Sequence, residues 1–184
     1  MAINLTCSTI TYEANGTECF LSISHPSVSE ERIAAIRRYL EAGCDLLVDL
    51  DHLPEWASHI PVEAQTAALK IRPELFQYYK LRVPRSVTLS RADWRNLPQL
   101  AELRHLSISC ADLTPDDVVN VLSLNQLEIL VLHSSAIDDS FCLVFPYMKQ
   151  LRAVDVMGTQ VTSSGVQALH DKCPNAKVYA DCDA

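Results

Sequence analysis

Six histidines, seven cysteines and 23 carboxylates are the side chains here that could do chemistry, and their spacing matches no catalytic constellation. His52 and His59 lie seven apart and could share one helix face, where histidines usually act as solvated or capping groups. Cys110 and His133 fall on neighbouring predicted strands and could meet as a thiol–imidazole pair. The sequence supplies no third group to orient that ring. Cys7, Cys19, Cys44, Cys110, Cys142, Cys173 and Cys182 are odd in number and contain no C-x-x-C pair. They read as reduced thiols, several of them core packers, rather than as a disulfide framework or a metal set. G-x-S-x-G and H-E-x-x-H are absent, and four glycines leave no phosphate-cradling loop. The expectation is a non-enzymatic chain with no cofactor and no metal.

Charge narrows the partners. The 184 residues carry a formal net charge of -8, which argues against general nucleic-acid binding and against coating an anionic membrane. No apolar run approaches the ~20 residues that span a bilayer. The first residues lack a basic region followed by an apolar one, so a cytoplasmic protein is expected. Charge is also uneven: net -7 over residues 1–65, +5 over 66–100 and -6 over 101–184. Lys70, Arg72, Lys80, Arg82, Arg85, Arg91 and Arg95 form the basic band, which reads first as a solvated seam between acidic halves.

The elements that must position these groups follow from pattern. Asn15-Gly16 is a two-residue hairpin signal, because both turn positions need φ > 0. It sets Tyr12 opposite Cys19 and Ile10 opposite Leu21, with Ile23 on the same face. A helix is expected from about Glu30 to Ala42, capped by Ser27 or Ser29 and stopped at Gly43. Asp45–Leu50 reads as a strand, and Leu46, Val48, Asp51 and Leu53 fit a degenerate first repeat. Residues 54–83 read as two helical pieces, about Val62–Ile71 and Pro73–Leu81, followed by a strand over Arg85–Ser90. The chain thus divides into a capping unit (1–53), a helical connection (54–83) and a repeat array (84–184).

The array carries a 24-residue period. In the frame L-x-x-L-x-L-x-x-N-x-L, successive copies place Leu103, Leu106, Ile108, Ala111 and Leu113; then Leu127, Leu130, Leu132, Ser135 and Ile137; then Leu151, Val154, Val156, Thr159 and Val161. Val178 and Ala180 continue it. Helices are expected over about Pro115–Leu124, Asp139–Met148 and Ser163–Lys172. One copy cannot bury its own apolar face, so the copies should stack with their strands in a parallel sheet. The fold class expected is α/β: a short solenoid with the sheet on its concave side, helices on its convex side, and a hairpin-plus-helix cap.

Strand alternation then names a site. One lane across the sheet is Ser86, His105, Ile129, Ala153 and Lys177. The next is Thr88, Ser107, Val131, Asp155 and Tyr179, and the third is Ser90, Ser109, His133, Met157 and Asp181. His105, Ile129, Val131, His133, Asp155, Met157, Tyr179 and Asp181 are the candidate partner-binding residues: aliphatics beside an aromatic, rimmed by charge. The last strand, about Lys177–Asp181, leaves an outer edge on which a second copy could pair.

The stretches LRHLSISCADLTPDDVVNVL, LEILVLHSSAIDDSFCLVF and LRAVDVMGTQVTSSGVQALHDKCPNAKVY resemble the cysteine-containing leucine-rich repeats of ribonuclease-inhibitor-like horseshoes and F-box-associated proteins. The ninth position departs from the usual Asn or Cys, being Ala111, Ser135 and Thr159. No F-box is read ahead of the repeats, so a ubiquitin-ligase role does not carry over. The resemblance implies recognition of another protein on the concave face, as an adaptor, inhibitor, effector or immunity protein. The acidity favours a basic partner. VDVMGTQVTSSGVQALH also resembles the switch segment of STAS domains, which implies phosphorylation at Ser163 or Ser164.

Overall fold

The computed structural model describes residues 5–48, 53–110, 113–134 and 136–181. Asn15 (φ 52°) and Gly16 (φ 75°) close the expected hairpin between β1 (Leu5–Ala14) and β2 (Thr17–Pro26). Its register pairs Tyr12 with Cys19 and Ile10 with Leu21. Ile10 and Ile23 point into the core. Helix α1 (Glu30–Glu41) follows, with the Ser29 side chain accepting from Arg32 N, and Gly43 turns the chain at φ 86°.

The second sheet has six strands in chain order. They are β3 (Asp45–Val48), β4 (Tyr78–Val83), β5 (His105–Ile108), β6 (Ile129–Leu132), β7 (Ala153–Asp155) and β8 (Lys177–Tyr179). From β4 onward every pairing is parallel, and β5 to β8 align at the 24-residue period: Leu106 lies beside Leu130, Leu130 beside Val154, and Val154 beside Val178. Between the strands run α2 (Glu55–Ser58), α3 (Val62–Ile71), α4 (Arg91–Arg95), α5 (Pro115–Leu122), α6 (Asp139–Val144) and α7 (Ser163–Lys172). The protein is α/β with a mixed sheet.

Three expectations fail here. β3 pairs antiparallel with β4, so Leu46 and Val48 belong to an edge strand and not to a first parallel copy; Asp51 and Leu50 lie outside the described residues. Tyr78–Val83 is a strand where a helix was expected over Pro73–Leu81, and helical geometry stops after a 3₁₀ turn at Pro73–Leu75. Apolar Leu81 and Val83 alternate with Lys80 and Arg82, which is strand period, and this alternation beats the local helix pattern. Arg85–Ser90 forms a turn and loop instead of the expected strand.

The period reaches the helix starts as well. Ser90, Thr114, Asp138 and Thr162, spaced 24 apart, are the N-caps of α4, α5, α6 and α7. Each brings an oxygen to the orphan N–H groups of a helix start. Asp93 and Asp117 reciprocate by accepting from the cap residues' own backbone, at 2.7 Å from Ser90 N and 3.2 Å from Thr114 N. Helix α1 is fastened to the first of these units. Arg38 Nε donates to Asp93 Oδ1 (2.9 Å), the Tyr39 hydroxyl to the Asp93 carbonyl (2.7 Å), and Arg32 pairs with Glu102 while donating to the Gln99 carbonyl (2.7 Å).

Candidate functional site

Along β5 and β6, alternate residues divide between core and surface. Leu106, Ile108, Leu130 and Leu132 are fully buried, whereas His105, Ser107, Ile129 and Val131 are half-buried. The surface set is the face expected to bind. Backbone pairing sets His105, Ile129, Ala153 and Lys177 in one lane, and Ser107, Val131, Asp155 and Tyr179 in the next. His133 follows just past β6, where its N–H still donates to Ile108 O at 2.9 Å.

The head of each lane differs from the expectation. Ser86 and Thr88 lie in the turn and loop after β4, and Ser90 caps α4. Lys80 and Arg82 stand beside His105 and Ser107 instead. β3 extends the face with Leu47 opposite Lys80 and Asp45 opposite Arg82, whose side chains approach to 3.5 Å. Two members of the basic band therefore lie on this face. Arg72 is turned inward, and Arg91 lies 3.7 Å from Asp116. The signal for Lys80 and Arg82 was the two-residue alternation of β4.

At the β7–β8 end two carboxylates converge on one turn. Asp155 Oδ1 accepts from Met157 N (3.0 Å), and Asp181 Oδ2 accepts from the next amide, Gly158 N (2.6 Å). Gly158 holds φ 70°, a conformation that favours glycine. His133 Nε2 lies 3.2 Å from Asp155 Oδ1, off the line of a hydrogen bond. Met157 and Tyr179 stay 45% and 43% exposed beside these carboxylates, and the Lys177 ammonium sits 5.9 Å from the Tyr179 ring centre. Burial, and then the neighbouring Lys80 ammonium, hold the His105 imidazole below its ordinary range. The result is a partly apolar face with Lys80 and Arg82 at one end and Asp155 and Asp181 at the other.

The remaining candidates separate. Cys110 is fully buried, whereas the half-buried His133 side chain turns to Asp155 on the sheet face. Burial pushes the Cys44 thiol up to about 12 and the Cys173 thiol up to about 11, the reverse of nucleophile activation. His59 follows a four-residue helix, too short to share with His52, which lies outside the described residues. Ser163 and Ser164 are exposed in the first turn of α7, where the Asp139 carboxylate already accepts from Thr162 N (2.8 Å) and Thr162 Oγ1 (2.6 Å). Among the described residues no group of three or more His, Cys, Asp and Glu side chains is arranged to hold a metal ion.

One polar cluster went unread in the sequence. Ser8 and His25 occupy the inward face of the hairpin, with Ser8 Oγ 2.8 Å from His25 Nε2. His25 Nδ1 lies 2.9 Å from the Pro26 carbonyl, which only accepts, so in the neutral ring Nδ1 donates and Nε2 accepts from Ser8. Arg72 then donates to Ser8 Oγ and to Glu74 Oε1. A hydroxyl–imidazole pair at this distance is nucleophile-and-base geometry. Here both residues are buried and the guanidinium occupies the hydroxyl's other side, so the cluster ties the hairpin to the segment after α3. Polar residues on the Ile10–Ile23 face were the available signal.

Comparison with known protein families, with curated proteins and with solved structures finds no match. Among the described residues no helix is long and apolar enough to cross a membrane.

Proposed function

We propose that this chain is a short solenoid of the cysteine-containing leucine-rich type and that it recognises another protein through its sheet face. The observation that carries this reading is the exposed pair Met157 and Tyr179, set beside half-buried Ile129 and Val131 and next to the Asp155 and Asp181 carboxylates. An apolar centre with an aromatic anchor and a charged rim is the composition of an interface core. The cap and strand ladders at 24-residue spacing support the repeat reading, because a stacked coil reuses each local device once per turn. A basic partner complements the net charge of -8.

Affinity capture from the source cell's lysate, native chain against Val131→Glu/Asp155→Arg/Tyr179→Ala, tests the reading. A partner held by the native chain and lost from the folded variant is the expected result, with association slowed by salt. A partner held equally by both sinks the assignment of the face. Pairing of two copies along the outer edge of β8 would appear instead as a dimer in sedimentation, whichever form is used.

A second reading is a regulatory switch at Ser163 or Ser164, favoured by their exposure and by the lack of acidic residues in the first turn of α7. The Asp139 carboxylate beside Thr162 opposes an added phosphate. Mass measurement after incubation with cell extract and ATP decides: an unmodified peptide spanning both serines ends this reading.

A further inference from the structure

A groove of about 480 Å³ opens at the N-terminal ends of β5, β6, β7 and β8, away from the strand ends that carry Met157 and Asp181. Arg104, Glu128, Arg152 and Lys149 line it. The first three hold one position in the 24-residue period, immediately before β5, β6 and β7. Backbone bonds keep them stacked: Glu128 N donates to Arg104 O at 2.7 Å, and Arg152 N to Glu128 O at 2.8 Å. The Arg104 and Arg152 backbones therefore lie roughly 10 Å apart, two strand spacings.

This corner reverses the charge of the molecule. Three cations and one carboxylate line the groove, on a chain whose net charge is -8. Arg152 is 77% exposed and reaches Glu128 at 3.4 Å. Gln126, Gln150 and Asn175 add amide donors and acceptors around the rim, with Asn175 Nδ2 held by the Lys149 carbonyl at 3.0 Å. Guanidinium groups favour planar, bidentate contact with oxyanions.

We propose that this groove binds an oxyanion-bearing ligand, a phosphoryl or carboxylate group seated against Arg152 and Arg104, with Glu128 as the internal competitor that the anion displaces from Arg152. The site is separate from the sheet face, and its ligand is a small anion and not a basic protein.

The test is titration of the full chain at fixed ionic strength with inorganic phosphate, pyrophosphate and citrate, read by calorimetry and by arginine Nε–Hε NMR shifts. Saturable binding is expected. Losing a charge-assisted contact in Arg152→Gln weakens it about tenfold or more, and removing the competitor in Glu128→Gln tightens it by roughly threefold or more. Pyrophosphate ahead of citrate assigns a phosphoryl group; citrate ahead of pyrophosphate assigns a carboxylate. A purely structural ladder would lose stability in Glu128→Gln without gaining affinity, and that result overturns the proposal. So does the absence of saturable binding by all three probes, or binding unchanged by Arg152→Gln in a folded protein.

Discussion

Gly165 offers a sharp test of how neighbouring units fit together. It is the buried third residue of α7. A methyl group added there would stand 2.3 Å from Asp139 Oδ1, 3.1 Å from its Cγ and 2.8 Å from Val161 Cγ1. The carboxylate must leave, although Thr162 N (2.8 Å) and Thr162 Oγ1 (2.6 Å) both donate to it. Losing that cap-like pair costs about 1 kcal/mol. Crowding Val161 costs about 1–2 kcal/mol. The helix preference of Ala over Gly returns about 1 kcal/mol. Gly165→Ala should therefore destabilise by about 1–2 kcal/mol. In an Asp139→Ala background the cap is already gone, so the same change should cost about 1 kcal/mol less. Urea unfolding of the four proteins in the cycle measures this directly. Equal costs in both backgrounds, within about 0.5 kcal/mol, would refute the reasoning that Asp139 excludes a side chain at position 165.

Three further outcomes follow from buried polar groups. Arg72→Met leaves the Glu74 carboxylate buried without its cation and should cost about 3–5 kcal/mol in urea unfolding, while Arg72→Met/Glu74→Met should recover much of it; an equally unstable double variant would deny the coupling. Burial pushes Asp93 up, but the Ser90 N–H and hydroxyl and the Arg38 guanidinium outweigh it, and its carboxyl lies below the ordinary range. Its folded value is depressed, so its contribution is present above the unfolded pKa of about 3.9 and lost as pH falls through the folded one. The stability gap between native and Asp93→Asn protein should be flat above about pH 5 and narrow as pH falls below it, and a gap independent of pH would contradict this. Exposed Cys7 should alkylate well before Cys44 and Cys173, whose thiols are raised to about 12 and 11; mass spectrometry finding Cys44 first would revive thiol chemistry.

The hairpin register, α1, α3, α7 and the lanes from His105 onward were legible because each rests on local chemistry: a positive-φ turn, a cap, or a repeated apolar pair. The strand ahead of β5 was not. Val87 and Leu89 alternate like a strand and are buried, but they precede Leu106 and Ile108 by only 19 residues. Holding the period would have pointed to residues near 82 and 84, one position from Leu81 and Val83, which pair with Leu106 and Ile108. The extra residue sits between β4 and Ser90, since Ser90 already caps α4 at the regular spacing from Thr114. The antiparallel sense of β3 was illegible for another reason. Strand direction depends on the path of the connection, and residues 49–77 carry no pattern that fixes it.

What the period constrains also explains where function can reside. Core positions repeat because each unit must bury the same face: Leu103, Leu127 and Leu151 occupy one site, and Leu106, Leu130 and Val154 another. Cap positions repeat because every helix start exposes the same orphan N–H groups, though Ser, Thr and Asp all satisfy them. The surface lanes obey neither demand. Ser107, Val131, Asp155 and Tyr179 share one backbone geometry yet differ in size, polarity and charge. Folding alone does not require that variety, since β-branched or small polar residues would fit each position of a half-buried strand. The Arg104, Glu128 and Arg152 ladder is the intermediate case, alternating in sign where stacking alone would accept three neutral side chains. Replacing these three with Gln should therefore leave the fold intact while erasing the groove's response to pyrophosphate. A collapse of the fold in that variant would mean that the ladder is structural and the anion reading mistaken.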